Sequence, residues 1–332
     1  MEQTRTYKYL GEIINNKINL EDQIKEIKGK TEAAFQTILV IAGDKNMKGI
    51  QMKTIWKLLD SCIKPIITYA WETWNPGKGE CKEINKILDN IIKRILKTPV
   101  STPREALYLE TRITDIEHTM NRNRILMLHR LWDNPNDLIK KFLLNSHSQS
   151  WATETKRIMK EYTDKDILQL NSYAAKKIIN SSTKSKCTEN MVLEGIFKSK
   201  VEFLLQNINL YNKETPTYLN ELCRNDASTI FKARTRMINV KNNYKTKYKG
   251  NMKCRGCGIS EETQKHVLEE CTVLHQNESS KVPNEQLFDD SLDIEKLKEM
   301  AKKIHLIEEQ INTERKRTSV VPLNEDEYAL PM

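Results

Sequence analysis

Four residues near the end of the chain have the types and the spacing of a metal-binding site. Cys254 and Cys257 form a C-x2-C pair, His266 follows after eight residues, and Cys271 follows after four more. Three thiolates and one imidazole are the ligands of a closed tetrahedral zinc site, which leaves no coordination position for water. Because three thiolates leave the Zn²⁺ site with a net negative charge, we expect a structural ion rather than a Lewis acid.

The residues around this pattern suit a zinc turn. Gly256 and Gly258 allow the backbone amides of the C-x2-C turn to point toward the sulfurs. The run 261–270 is predicted to form a short helix that carries the histidine and folds back over the turn. The alternative is four unrelated residues whose thiols are reduced, and the sequence alone leaves that alternative open.

Few other patterns in the chain suggest an active site. The sequence contains neither a glycine-rich phosphate loop nor a G-x-S-x-G nucleophile motif. Phe288-Asp289-Asp290 differs from the aromatic-x-Asp-Asp turn that holds two polymerase metals, because the intervening residue is missing. The other histidines have no spacing that indicates a second metal, and we expect structural roles for His118, His129, His147, His275 and His305.

Positive charge is concentrated just before the metal pattern. The protein has a formal charge of +9, and residues 224–253 contain nine Lys or Arg but only one acidic residue. Residues 254–271 contain two basic and four acidic residues, and residues 272–332 contain eight basic and thirteen acidic ones. A basic segment beside a structural zinc indicates a polyanionic partner. The alternative is a solvated helix face, which is what most charge runs are.

The composition is that of a folded, mostly helical protein. Of the 332 residues, 38% are hydrophobic and 30% are charged, while Gly and Pro number only 10 and 9. No apolar run approaches the ~18–20 residues that span a bilayer, and the N-terminus does not resemble a signal peptide. Because the seven cysteines do not form a disulfide framework, we expect an intracellular protein of the nucleus or cytoplasm, without a membrane partner.

Hydrophobic periodicity predicts a series of helices. A short strand-like segment at 7–14 precedes amphipathic helices at 20–42 and 50–67, and Pro65 is expected to bend or end the second one. Further helices are predicted at 84–96, 103–110, 115–131, 188–212, 216–238 and 292–313.

Several short segments are expected to mark boundaries. Thr102-Pro103-Arg104-Glu105 and Thr114-Asp115-Ile116-Glu117 are predicted capping boxes at the starts of two helices. The polar segment 180–186 is the best candidate for a linker, and 276–291 is predicted to be a loop. The residues from Thr318 onward have the composition of an acidic disordered tail.

The order of the motifs resembles one protein family. Tyr9-Leu10-Gly11, then a helix, then Tyr69-Ala70-Trp71-Glu72-Thr73-Trp74 is similar to the segment after the polymerase palm in non-LTR (LINE-type) retrotransposon reverse transcriptases. Thr102-Pro103, Ala106-Leu107 and Glu110 resemble the helical region that follows in that family.

The resemblance extends to the metal pattern. Arg234-Thr235-Arg236-Met237 and Asn242-Asn243, placed before the C-x2-C-x8-H-x4-C finger, are similar to the C-terminal end of the family. The likeness covers roughly 7–275, and it is the order of the motifs that makes it specific.

The resemblance implies a fragment that has no catalytic residues of its own. In the family, the polymerase aspartates lie upstream of the Tyr-Leu-Gly strand at which this chain begins, so we expect the isolated chain not to polymerise. The endonucleases of the family are not expected here either. What remains resembles the thumb, the helical connector and the CCHC zinc finger, which hold RNA and DNA in that family. The implied regions are a palm-strand remnant at 1–14, thumb-like and connector helices at 15–180, a helical region ending in the basic strip at 188–253, the finger at 254–275, and a C-terminal helix with an acidic tail at 276–332.

The expected contacts to RNA or DNA come from the basic strip. Cations would meet phosphates, and two tyrosines are available to stack on unpaired bases. Arg234 and Arg236 have a competing role, because a helix end can use them in internal ion pairs. The candidate nucleic-acid-binding residues are Arg234, Arg236, Lys241, Tyr244, Lys245, Lys247, Tyr248, Lys249, Lys253 and Arg255.

Two other functions are compatible with the sequence. The chain could be a helical scaffold or protein-interaction module in which zinc stabilises a small lobe and nucleic acid has no role. It could also be an enzyme fragment that acts only when a partner, such as the upstream polymerase portion, supplies the palm.

Overall fold

The chain folds as two mostly helical units, which confirms the predicted fold class. The first unit comprises residues 1–224 and the second comprises residues 225–332. Within the residues that the structure describes, no helix combines the length and the apolar character needed to cross a membrane. The computed structural model describes residues 5–17, 19–41, 50–74, 76–145, 147, 150–210, 214–245, 248, 250–275 and 277–318.

Unit 1 begins with a two-stranded antiparallel hairpin and continues as a helical assembly. The strands are β1 (Thr6–Tyr9) and β2 (Glu12–Asn15). The helices are α1 (Glu21–Ile41), α2 (Met52–Leu58), α3 (Lys64–Ile67), α4 (Lys78–Ile95), α5 (Arg104–Thr111), α6 (Ile116–Trp132), α7 (Asp137–Leu144), α8 (Trp151–Tyr162), α9 (Ser172–Gly195), α10 (Ser199–Asn207) and α11 (Thr217–Glu221).

Unit 2 is built from two longer helices and a series of short turns. Its helices are α12 (Arg224–Arg234), whose first residue closes unit 1, then α13 (Asn284–Leu287) and α14 (Ile294–Thr318). The apolar stripe predicted for the last helix is confirmed, because Leu297, Ala301, Ile304, Ile307 and Ile311 are all buried. The predicted tail beyond this helix lies outside the described residues.

The strand-like segment near the start is a tight hairpin. Leu10 and Gly11 form its two-residue turn with φ values of 47° and 91°, the left-handed region that two-residue hairpin turns require. The Tyr69 hydroxyl donates to the Leu10 carbonyl at 3.0 Å. A Cβ on Gly11 would lie 3.3 Å from the Tyr69 ring, so glycine serves both the turn and this contact.

Of the two outcomes expected at Pro65, a bend or an end of the helix, the structure excludes the end. The helical path continues through α3, and a π-helical turn, Leu59–Ile63, precedes it. Proline lacks an N–H, and its ring crowds the carbonyl four residues earlier, so the wider turn removes the conflict. Leu59, Ile63 and Ile67 are buried, so the apolar face is kept through the distortion.

The predicted capping boxes are wrong in detail. Asp115 rather than Thr114 caps α6, because its carboxylate accepts a hydrogen bond from the His118 amide at 2.8 Å. Pro103 occupies the N-cap position of α5, where a side-chain cap is absent, and the Thr102 hydroxyl donates instead to the Pro99 carbonyl at 2.7 Å. The starts of both helices were nevertheless predicted to within a residue or two.

The predicted linker at 180–186 is also wrong. This segment lies in the middle of the 24-residue helix α9. Ile179, Thr183, Cys187 and Met191 recur every four residues and are buried, and α9 packs on α5, α6 and α8. A narrow buried stripe is sufficient to keep an otherwise polar segment helical, because tertiary packing supplies most helix stability.

The helix predicted at 216–238 is two helices. The chain between α11 and α12 is extended at Leu222, whose φ and ψ are −81° and 161°. Its carbonyl accepts a hydrogen bond from the Met52 amide at 3.0 Å, and Cys223 forms a β-bridge with Gln51. This pairing joins segments that are far apart in sequence, so local periodicity carried no signal of it.

Two helical glycines lead to opposite expectations for substitution by alanine. A Cβ on Gly29 of α1 would have nothing within 4 Å, whereas a Cβ on Gly195 of α9 would lie 2.5 Å from Cγ1 of the buried Val201. We expect Gly29→Ala to stabilise unit 1 by ~0.5–1 kcal/mol, because alanine loses less backbone entropy. Gly195→Ala should destabilise it by ~1–3 kcal/mol through overpacking. Urea unfolding of both variants tests this pair, and equal effects would contradict the packing described at α9.

Candidate metal centre

The structure brings the four predicted metal ligands together. The ligand atoms of Cys254, Cys257, His266 and Cys271 all lie within 4.8 Å of one another. The sulfurs of Cys254 and Cys271 are 3.9 Å apart, and the Cys257 sulfur is 3.4 Å from Nε2 of His266. Four ligand atoms this close, three of them sulfurs, can hold a metal ion.

A tight turn sets the two sulfurs of the C-x2-C pair. The Cys254 amide donates to the Ser260 carbonyl at 2.7 Å, and the Gly258 amide donates back to the Cys254 carbonyl at 2.8 Å. Gly258 has a φ of 69°, which favours glycine, and the Gly256 amide points at the Cys254 sulfur at 3.3 Å. A Cβ on Gly256 would lie 3.0 Å from Leu274, so both glycines are needed locally.

The other two ligands lie at the two ends of a π-helical turn. The predicted helix at 261–270 begins only at Gln264, because Glu261 pairs with Lys253 in a β-bridge. From His266 the turn widens, and the Cys271 amide donates to the His266 carbonyl at 2.8 Å. An i to i+5 bond is the signature of a π turn, and such turns are frequent at functional sites.

The thiols of the cluster differ in acidity. Burial raises the pKa of Cys254 to about 12. Burial acts in the same direction on Cys257, but the backbone amides of Ile259 and Ser260, together with His266, lower its pKa to about 6. At neutral pH the Cys257 sulfur is therefore a thiolate, whereas coordination of a cation by Cys254 releases a proton.

A buried ion pair supports the turn from behind, and sequence reasoning missed it. Glu262 is 0% exposed, and its carboxylate accepts hydrogen bonds from the amides of Lys241 and Arg255, both at 2.8 Å. The Arg255 guanidinium donates to the same carboxylate at 2.6–3.1 Å and also to the Asn239 carbonyl. This carboxylate thus joins the C-x2-C turn to the segment that follows α12.

Three candidate nucleic-acid-binding cations are used inside unit 2. Arg234 is only 2% exposed, donates to the Leu287 carbonyl at 3.0 Å, pairs with Asp290 at 3.3 Å and lies over the Phe288 ring. Lys241 is buried, and its Nζ donates to the Lys253 carbonyl at 2.7 Å. Arg255 is the partner of the buried carboxylate described above. The internal ion pairing considered for Arg234 is therefore what the structure contains.

Other members of the strip lie at the surface. Arg236, Lys245 and Lys253 are exposed. Tyr244 and Tyr248 are half-buried, and their hydroxyls donate to the Met237 carbonyl at 2.9 Å and to the Asn239 side-chain oxygen at 3.2 Å. Lys247 and Lys249 lie outside the described residues.

A second cluster of potential metal ligands lies in unit 1, although the sequence suggested no partner for His118. Polar atoms of Asp115, His118 and Cys187 lie within 4.8 Å of one another, and all three residues are buried. Arg104 forms an ion pair with Asp115, His118 Nδ1 is 2.7 Å from that carboxylate, and His118 Nε2 is 3.0 Å from the Asn190 amide. These contacts give the Asp115 carboxylate and both ring nitrogens of His118 partners within the core, so the cluster is accounted for without a metal ion.

Comparisons with known proteins identify no relative of this chain. No family model matches the chain, and neither the curated proteins nor the solved structures contain a match. The likeness to reverse transcriptases therefore stands on the order of motifs in the sequence.

Adjacent glutamates provide a matched test of the buried ion pair. Glu262→Gln would leave the Arg255 guanidinium buried without a negative partner, so we expect it to lower the free energy of unfolding by ~3–5 kcal/mol. Glu261→Gln removes the same charge at the exposed neighbouring position and should change it by less than ~0.5 kcal/mol. Chemical unfolding of both variants at one fixed metal concentration measures the difference. Similar stabilities for the two would mean that the pair does not support the turn.

Proposed function

We propose that the cluster of three cysteines and one histidine binds a structural zinc ion. The observation that carries this proposal is the convergence of one imidazole nitrogen and three sulfurs within 4.8 Å. Thiolate-rich sites with one imidazole suit Zn²⁺ over the harder Mg²⁺ and Ca²⁺, which prefer oxygen ligands. Four protein ligands complete a tetrahedral shell, so the ion would contribute folding energy and no catalysis.

The second part of the proposal is that the exposed surface of unit 2 next to the cluster in sequence binds single-stranded RNA or DNA. Support comes from the exposure of Arg236, Lys245 and Lys253 beside the cluster in sequence, and from the half-buried tyrosines Tyr244 and Tyr248. Cations track the phosphate backbone, whereas aromatic faces stack on unpaired bases. The hydroxyl contacts of the two tyrosines hold their rings in place, which reduces the entropy lost on binding.

The proposed ancestry rests on the sequence resemblance alone. The order of motifs supports a chain derived from the thumb, connector and zinc-finger part of a non-LTR retrotransposon reverse transcriptase. In that interpretation the chain binds template or target strands and has no catalytic residues of its own. Activity would require an upstream polymerase portion as a partner.

One observation favours a second function. Arg234, Lys241 and Arg255 are used to fold unit 2, so the basic strip offers fewer surface charges than the sequence suggests. A helical scaffold whose small lobe is stabilised by zinc would need those internal contacts and no nucleic acid. The salt dependence of binding distinguishes the two functions. If the chain is a scaffold, we expect it to bind nucleic acid weakly and without preference over other polyanions.

Removal of single ligands tests the zinc proposal. Cys257→Ser and His266→Ala should each abolish stoichiometric zinc and lower the stability of unit 2 by several kcal/mol, because metal binding and folding are coupled. Cys62→Ser, an exposed cysteine of unit 1, is the control and should change neither property. Metal content by mass spectrometry and unfolding in urea are the two measurements. Full zinc occupancy in both ligand variants would contradict the assignment.

The salt dependence of binding tests the nucleic-acid proposal. If Arg236, Lys245 and Lys253 each neutralise one phosphate of a single strand, together they contribute about −2 to the slope of log K against log salt. Arg236→Asn combined with Lys245→Gln and Lys253→Gln should therefore make the slope shallower by about 2. Asparagine is chosen because Arg236 has a φ of 53°, which asparagine tolerates.

The control for that experiment removes three lysines from α14. Lys296, Lys298 and Lys302 changed together to Gln alter the net charge of unit 2 by the same amount and should leave the slope unchanged. Fluorescence anisotropy with labelled single-stranded RNA and DNA at several salt concentrations gives the slopes. A flat dependence for the unmodified protein, or equal losses in both triple variants, would contradict the proposed surface.

A further inference from the structure

Unit 1 contains two adjoining pockets with contrasting walls. The larger has a volume of about 460 Å³ and the smaller about 320 Å³, and both lie in the range of small-molecule sites. They share the wall formed by Arg112, Ile113, Thr114 and Lys184. A ligand that crosses this shared wall would therefore place different parts of itself in the two pockets.

The larger pocket has an excess of positive charge. Its walls include Lys64, Arg112, Arg122 and Lys184, whereas Asp60 is the one acidic residue among the described residues that line it. Asp60 is already paired with Lys64 at 2.7 Å. Within the described part of the chain, Arg122 and Lys184 form no ion pair with a carboxylate, and the Arg122 guanidinium donates to the neighbouring Asn123 amide oxygen at 2.8 Å. The pocket thus presents two cations, Arg122 and Lys184, that form no ion pair with a carboxylate of the described residues.

Two of the arginines in the larger pocket are in unfavourable environments or conformations. Arg122 is half-buried, and burial lowers its pKa, with Asp60 acting in the opposite direction. Arg112, at the end of α5, has a φ of 58°, a left-handed conformation that residues other than glycine seldom adopt. Its guanidinium donates to the Asn209 carbonyl at 3.0 Å, which fixes the side chain at the wall common to both pockets. A bound anion would offset the charge that burial disfavours.

The smaller pocket is mainly apolar. Met191, Val192, Leu193 and Leu210 contribute to its lining. Cys187 also lines it, and burial raises the pKa of that thiol to about 12, so the thiol remains protonated and acts as an apolar wall. A flat, largely apolar ring system suits such a pocket better than a second charged group.

From this geometry we propose that unit 1 binds a nucleotide, with its phosphate in the cationic pocket and its base in the apolar one. The nucleotide is either a free mononucleotide or the phosphorylated end of a strand. The planar guanidinium of Arg122 and the Lys184 ammonium contact the phosphate through charge-assisted hydrogen bonds, which are stronger than those between neutral groups. This site lies in unit 1 and does not depend on the proposed zinc lobe, so either proposal can fail while the other stands.

The first experiment compares three ligands on the full chain by isothermal titration calorimetry. The base adds buried apolar area, so AMP should bind about tenfold more tightly than ribose 5-phosphate, and inorganic phosphate should bind most weakly. Equal affinities for AMP and inorganic phosphate would overturn the assignment of the apolar pocket to a base. Failure of all three ligands to bind would overturn the whole proposal.

Charge variants then locate the phosphate. Arg122→Gln with Lys184→Gln should weaken AMP binding at least tenfold. The control, Lys25→Gln with Lys86→Gln, removes two exposed lysines of unit 1 outside the pockets and should leave affinity unchanged. If the double pocket variant does not fold, Lys184→Gln alone is used, because that side chain is exposed. Unchanged AMP affinity in a folded pocket variant would overturn the site.

Oligonucleotides distinguish the two sources of the ligand. An oligothymidylate with a 5′-phosphate should compete with AMP more strongly than the 5′-hydroxyl form if the site takes a strand end. Binding of AMP without any competition from either oligonucleotide supports a free mononucleotide as the ligand. Equal competition by both oligonucleotides would overturn the proposal, because the terminal phosphate would then not be what the cationic pocket recognises.

Discussion

The close approach of three thiols and an imidazole is the constraint on which unit 2 depends. The segment that carries them is short and polar, and its own buried apolar side chains are few, Val267 and Leu268 among them. A lobe of this size cannot bury enough apolar surface to fix two turns by itself. Four side chains must converge on one point. This requirement explains the glycines of the C-x2-C turn and the π-helical turn between His266 and Cys271.

The buried carboxylate of Glu262 extends that constraint to the rest of unit 2. This carboxylate accepts hydrogen bonds from the backbone amides of Lys241 and Arg255 and from the Arg255 guanidinium. The turn that carries Cys254 and Cys257 is therefore held against the segment that follows α12. In addition, the side-chain amide of Gln264 donates a hydrogen bond to the Ala233 carbonyl of α12 at 2.7 Å. The metal cluster and the end of α12 are therefore parts of one cooperative structure, and a change at either should affect both.

Local features were predictable from the sequence, and long-range pairings were not. The spacing of the cysteines and the histidine identified the cluster, because ligand spacing within a single lobe is a local property. The stripe of α14 was predicted for the same reason. By contrast, the excess of charge before the cluster overstated the basic surface, since Arg234 pairs with Asp290 and the Lys241 ammonium donates to a backbone carbonyl, partners that spacing does not reveal. The segment 180–186 of α9 is predicted as a linker because Thr183 is its one buried residue, which is a weak signal in a polar segment.

The two units place different demands on polar side chains. In unit 1, Asp115 is paired with Arg104 and His118, whereas Arg122 and Lys184 of the cationic pocket form no ion pair with a carboxylate of the described residues. Buried polar groups in folded proteins are normally paired, so the contrast separates groups that hold the fold from groups available to a ligand. The same distinction in unit 2 separates Arg255 from the exposed Lys245 and Lys253.

X-ray absorption at the zinc edge of the purified protein is the sharpest test of the structural zinc site, because it reports the ligand atoms of the ion itself. We expect one zinc per chain, three sulfur ligands at about 2.3 Å and one nitrogen ligand at about 2.0 Å, without an oxygen ligand. A shell of oxygen ligands, or a protein that folds and remains stable without any metal, would contradict it.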